Sequence, residues 1–181
     1  MSLMKNLNLN LFKFIIFIFF IFYNPAFSEI KFISSEIEKV IITDGDSIKI
    51  GKQKIRLFGI DAPELKQICY NKSKVPYACG HQAKEILKKI ITNKKFLNHN
   101  KKYIYCYYSE RDKYNRILGE CFIGKDSKYN VNEYMVGLGH AVAYLRYSKK
   151  YLDWQESAKL NNNGLWSGTF ETPEEWRKKN K

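Results

Sequence analysis

From Phe32 to Ile60 short apolar stretches separated by polar turns read as β-strands. Phe32 to Ile42 is β-rich, with Ile37 and the run Val40-Ile41-Ile42 as its apolar content. Asp44-Gly45-Asp46 reads as a tight turn, after which Ile48 and Ile50 alternate with polar neighbours. Gly51-Lys52 has the chemistry of a hairpin turn, and Ile55 and Leu57 resume the strand to Ile60. Three strands joined by such short turns form an antiparallel meander. The rhythm changes after Pro63. From Gly80 the apolar positions Ala83, Ile86, Leu87, Ile90 and Ile91 fall on one helical stripe, opposite Lys84, Glu85, Lys88 and Lys89. Tyr103 to Tyr108 alternates as a strand, and Ile117 to Ile123 is its partner across a polar loop.

A short helix is predicted over Asn132 to Leu138, stopped by Gly139, and a last one from about Lys150 to Leu160. Asn161-Asn162-Asn163-Gly164 ends the latter, and Leu165-Trp166 is expected to fold back on the core. The tail, with Pro173 and Trp176 before basic residues, is expected to fray. The order of elements suggests an α+β, β-rich fold: a five-stranded OB-fold barrel with three helices. The open face of such barrels commonly binds nucleic acid.

The start of the chain does not belong to that pattern. Lys5 and Lys13 precede or flank an uncharged apolar run, Phe14 to Tyr23, followed by Ala26-Phe27-Ser28. A basic entry, an apolar run of this length and a small-residue exit are the parts of a secretory signal peptide. The run is about half of the ~20 residues that span a bilayer. Residues 1–28 are therefore expected to direct export, with cleavage near Ser28 and a periplasmic or secreted product. Residues 29–181 would form one domain, with a core of about 40–166.

Export changes the reading of Cys69, Cys79, Cys106 and Cys121. In an oxidising compartment an even number of cysteines points to disulfides, and the absence of any C-x-x-C pair argues against zinc. Four cysteines allow three pairings; Cys69 with Cys79, closing a short loop, and Cys106 with Cys121, joining neighbouring strands, are favoured. The formal charge of the 181-residue chain is +13, and loss of Lys5 and Lys13 would lower it by two. Such a domain attracts polyanions, nucleic acid first among them, with anionic lipid and cell-wall polymer as competitors.

The informative constellation lies in turns. Asp44-Gly45-Asp46-Ser47 is followed by Ile55-Arg56-Leu57 and then by Gly59-Ile60-Asp61-Ala62-Pro63-Glu64. In a meander these can converge, bringing Asp46, Asp61 and Glu64 together beside Arg56. Crowded carboxylates require a compensating cation, and oxygen ligands in loops suit calcium or magnesium. Arg116, after Arg111-Asp112-Lys113-Tyr114-Asn115, opens the next strand. Two guanidiniums facing a carboxylate cluster suit phosphoryl transfer, because each can grip phosphate oxygens with two parallel hydrogen bonds. The histidines His81, His99 and His140 share no metal-site spacing, and no serine-hydrolase elbow or Walker loop occurs.

Taken together, D-G-D-S, I-R-L, G-I-D-A-P-E, D-K-Y-N-R, V-N-E-Y-M-V-G-L-G, A-V-A-Y and G-L-W-S resemble the staphylococcal nuclease family, from about Val40 to Trp166. Residues 67–80 look like its cysteine-bearing bacterial subgroup. The resemblance implies a calcium-dependent endonuclease acting on DNA and RNA and leaving 3′-phosphates. It makes Asp46, Asp61 and the Ala62 carbonyl the calcium ligands, and Glu64 the residue that orients or deprotonates water. Arg56 and Arg116 would clamp the phosphate, and Lys113, Tyr114 and Tyr144 would contact the nucleotide. Ala62 stands where the best-known member has threonine, and Asn115 where glycine is usual, so the Arg116 loop is where altered geometry is expected. A monomer is expected. The alternative is a non-catalytic nucleic-acid-binding OB-fold module, which predicts binding without cleavage.

Overall fold

The computed structural model describes residues 29–93, 102–125 and 128–180. Residues 1–28, where the export signal is expected, lie outside the described residues. The main sheet has six strands: β1 (Lys31–Glu36), β2 (Val40–Ile42), β3 (Ser47–Ile50), β4 (Gln53–Leu57), β8 (Tyr103–Tyr108) and β9 (Ile117–Ile123). Their order is β1-β8-β9-β4-β3-β2. All neighbours are antiparallel except β4 and β9, which run parallel with Arg56 beside Leu118. Two short pairs flank it: β5 (Ile60–Asp61) with β10 (Val142–Ala143), and β6 (Cys69–Tyr70) with β7 (Pro76–Tyr77).

The meander formed as its alternation predicts, with Ile48, Ile50, Ile55 and Leu57 pointing into the core. Three details differ from the expectation. The first strand is interrupted by a 3-10 turn at Ile37–Lys39, so five expected strands become six in this sheet. That turn carries the chain from one edge of the sheet to the other, and the Ile37 N–H bonds to the Lys102 carbonyl at 2.9 Å. The edges β1 and β2 are thus joined covalently, and among the described residues no hydrogen-bonded ladder closes a barrel. Finally, the described residues contain four α-helices where three are expected: α1 (Cys79–Ile91), α2 (Val131–Gly137), α3 (Leu152–Leu160) and α4 (Pro173–Lys179).

The fourth helix is the tail expected to fray. Thr172 caps it, accepting from the Glu175 N–H, while the Glu175 carboxylate accepts from the Thr172 N–H; Pro173 sits in the first turn. Inside the sheet, α1 presents Ala83, Leu87, Ile90 and Ile91, and α2 presents Val131, Met135 and Val136. Gly139 takes the left-handed conformation (φ 72°) just past α2, as its stop signal predicts.

Both favoured disulfides are present. Cys106–Cys121 ties directly opposed residues of β8 and β9. Cys69–Cys79 closes the β6–β7 hairpin onto the first residue of α1, and with Leu165, Tyr77 and Phe170 forms a second apolar cluster. That cluster guides the end of the chain. Tyr70 and Thr169 exchange backbone bonds at 2.9 Å each way, and the chain then turns into α4.

Candidate active site

The site begins at the entry to β3. Asp46 precedes Ser47, which lies opposite Arg56 in β4, and the Leu57 N–H bonds to the Asp46 carbonyl at 2.8 Å. Arg56 donates from one guanidinium nitrogen to Asp46 Oδ1 (3.0 Å) and from the other to Asp61 Oδ1 (2.7 Å). Asp46 Oδ1 also accepts from the Ser47 hydroxyl, and its Oδ2 accepts from the Ala62 N–H at 3.2 Å. Asp61 is held by β5, which pairs it with Val142. Its side chain is 1% exposed. Carboxylates this deeply buried need full compensation.

Much of that compensation comes from a residue the motifs did not single out. Arg177 of α4 forks onto Asp61, donating to Oδ1 at 2.9 Å and to Oδ2 at 2.8 Å, and also donates to Glu64 Oε1 at 2.9 Å. Burial is the largest influence on Asp61 and raises its pKa, with Asp46 adding to the rise; bonds from Arg177 and the charges of Arg177 and Arg56 pull it down. Burial works against the charge of Arg177, but Asp61 and Glu64 outweigh it and raise its pKa. Arg56 behaves likewise, with Asp46 and Asp61 as its partners. Burial, then the Asp46 charge, pushes Asp44 up to about 6.

Two close approaches set the geometry. Gly45 lies against Ala62 and Ala83, where an added Cβ would come within 2.7 and 2.8 Å of their Cβ atoms. Gly80, at the start of α1, meets the backbone of Glu64 so closely that a Cβ would fall 1.9 Å from its carbonyl oxygen. Gln67, completely buried, accepts from the Glu64 N–H at 3.2 Å and donates to the Glu171 carbonyl at 2.8 Å. The loop carrying Glu64 is thereby tied to the entry of α4.

The second expected segment stands apart. Arg116 bonds within its own loop, its Nε donating to Asp112 Oδ2 at 2.7 Å, and Asp112 also accepts from the Tyr114 and Arg116 N–H groups. Asn115 adopts φ 61°, the left-handed conformation glycine would take there. Strand alternation puts Arg116 and Arg56 on the same face of the sheet, away from the core. Among the described residues no hydrogen bond or ion pair joins Arg116 to the acid cluster. Tyr114 is 67% exposed, with Lys113 Nζ 5.0 Å from its ring centre and the Arg116 guanidinium 5.6 Å away. Tyr144 is nearer the acids: its N–H bonds to Gly59 at 2.8 Å, and it stacks edge-on with Tyr147 at 4.8 Å.

Sequence reading therefore brought together Asp46, Arg56, Asp61, Ala62 and Glu64, and missed Arg177, Gln67 and Tyr147. Thr172-Pro173-Glu174-Glu175 was the available signal for Arg177, because it is a helix start. Among the described residues no group of three or more His, Cys, Asp or Glu side chains is arranged to hold a metal. The donors present are all hard oxygens, which fit calcium or magnesium in kind. Among the described residues Asp46 Oδ2 and Asp61 Oδ2 each accept one hydrogen bond, which leaves a lone pair on each. They fall short in number, so water and substrate would have to complete any such shell.

Two buried aspartates bridged by Arg56, with Glu64 held beside them by Arg177, make up this acid–arginine cluster. The family model for staphylococcal nuclease homologues matches residues 54–168, which include Arg56 to Glu64, the four cysteines and Tyr144, but neither Asp46 nor Arg177. The chain belongs to the staphylococcal nuclease family. It is 31% identical over 128 residues to a succinoglycan biosynthesis protein of Rhizobium meliloti, covering 69% of this chain and 61% of that one. It is 33% identical over 143 residues to a probable staphylococcal-like nuclease of Oryza sativa, covering 77% and 32%. An Escherichia coli protein named an uncharacterized endonuclease is 30% identical over 140 residues, covering 74% and 78%. The chain thus spans under two thirds of the Rhizobium protein and about a third of the rice one.

Proposed function

We infer that this protein is a calcium-dependent endonuclease that hydrolyses phosphodiester bonds in DNA and RNA. The observation that carries this reading is Arg56 bridging two nearly buried aspartates, with Glu64 on the same wall, in a chain of the staphylococcal nuclease family. Asp46, Asp61 and the Ala62 carbonyl would hold calcium, whose contribution when bound is to neutralise charge on the phosphate. Glu64 is at the solvent rim and would take the proton of an attacking water. Arg56 and Arg116 would grip the equatorial oxygens as negative charge builds. As the bond from phosphorus to the 5′-oxygen breaks, that oxygen would take up a proton from solvent water, the proton held by Glu64 would return to solvent, and the phosphate would stay on the 3′ side. Lys113, Tyr114 and Tyr144 would hold the nucleotide, with stacking that suits any base.

A polyanionic substrate also suits the basic composition of the chain. Export to the periplasm or the medium, through residues 1–28, would meet the abundant calcium that a sparse donor set requires. Metal and nucleotide should therefore bind cooperatively, since phosphate completes the shell.

The test is cleavage of single-stranded DNA at millimolar calcium and again with excess chelator. Cleavage should vanish with the chelator. Glu64→Gln should keep binding while kcat falls by about 10³-fold or more. Tight binding by the unaltered protein with no cleavage in calcium would instead make it a binding module.

A further inference from the structure

Arg177 stands where an incoming dication must act. Asp61 Oδ1 accepts from both Arg56 and Arg177, which fills its two lone pairs, and Oδ2 accepts from Arg177. The guanidinium closes the cluster from the solvent side, being 31% exposed where Asp61 is 1% exposed. It is not a tail draped over the surface. Thr172 and Glu175 cap its helix reciprocally, Pro173 is buried, and Gln67 joins the Glu171 carbonyl to the Glu64 N–H. Three carboxylates, Asp46, Asp61 and Glu64, are matched here by two guanidiniums, Arg56 and Arg177.

We propose that Arg177 is a positioning residue of this site, a resident cation that holds Asp61 and Glu64 when no divalent ion is bound and leaves Asp61 when one binds. This rests on the calcium reading given above. A dication approaching Asp61 meets a positive group on the same oxygens and competes with it for their lone pairs. Removing Arg177 leaves an extra uncompensated negative charge, which favours the dication at short range. By linkage, whatever calcium loses in expelling Arg177, Arg177 loses in hold on Asp61 once calcium is present. The docked α4 therefore opposes metal uptake, and the same contact keeps Glu64 in register until uptake occurs.

Calcium titration by calorimetry without nucleic acid, on the full chain and on Arg177→Gln and Arg177→Lys, tests this. Arg177→Gln should bind calcium about tenfold more tightly or better, whereas Arg177→Lys should stay near the unaltered protein. A purely structural role predicts the opposite sign, because a loosened site binds metal less well. Arginine-side-chain NMR on the unaltered protein gives a second readout that needs no folded variant. The Arg177 Nη signals should be protected without metal and lose protection at saturating calcium. Unchanged or weaker affinity in Arg177→Gln, or protection that survives saturation, overturns the proposal while leaving the nuclease reading standing. No calcium binding by any of the three proteins overturns it together with the metal assignment.

Discussion

The side chain of Asn132 bonds to backbone groups within β9 and just past the end of β4, the parallel pair. Its amide donates to the Phe58 carbonyl at 2.9 Å and to the Gly119 carbonyl at 3.2 Å, and its oxygen accepts from the Cys121 N–H at 3.2 Å. Completely buried, it fastens the end of β4, which carries Arg56, to β9, which follows Arg116. An apolar replacement leaves the Phe58 carbonyl and Cys121 N–H without this partner in a site shut off from water. Asn132→Leu should therefore cost about 2–4 kcal/mol, read as a shift of the urea midpoint at unchanged slope. An unshifted midpoint would mean that water reaches these groups. Asn132 lies within V-N-E-Y, yet as a single letter it reads as a helix-start residue, and its bond to Phe58 reaches 74 residues back along the chain.

At the scale of elements, α1 is positioned by a contact that only glycine permits. Its first turn lies on the backbone of Glu64, and a methyl group on Gly80 would collide with the Glu64 carbonyl. Gly80→Ala must push the loop or the helix aside, costing about 1–3 kcal/mol. A displacement of about 1 Å at Glu64 should lower cleavage by about 100-fold, a larger effect than the stability loss alone would give. Parallel thermal melts and single-turnover rates would separate the two, and equal small effects would show that the loop yields freely. The meander, α1 and the strand pair β8–β9 were legible because each shows its own period of apolar residues. The acid–arginine set of Asp46, Arg56, Asp61 and Glu64 was legible because it falls within nineteen consecutive residues of one meander, its acids beside turns and Arg56 on the strand between them. Arg177 was not, because its partner Asp61 lies 116 residues earlier, and polar tails usually fray. The 3-10 break at Ile37–Lys39 was hidden for another reason, since Ile37 fits the apolar rhythm of a continuous strand.

For the whole molecule, acid sensitivity should come in part from a group remote from the carboxylates. His140, after α2, has its pKa lowered to about 4, chiefly by burial and then by the Lys89 charge. The unfolded chain takes up that proton near 6.5, and the folded chain resists until about 4. Stability should fall as pH drops through this window, by up to about 3 kcal/mol, and then level off. His140→Gln should flatten that decline; urea denaturation at pH 7 and at pH 4.5 measures it, and parallel pH profiles for the two proteins would exclude this source.

The contact between Arg177 and Asp61 also orders events in time. Arg56 is only ten residues from Asp46 and five from Asp61, so those pairs can form as soon as the meander has been made. Arg177 is still unmade at that moment on the ribosome, with more than a hundred residues to follow. A chain in synthesis thus carries Asp61 and Glu64 without the second guanidinium of the cluster, and that half-compensated pocket persists until α4 emerges and closes the long loop. Folding of this site is completed from the end of the chain backwards.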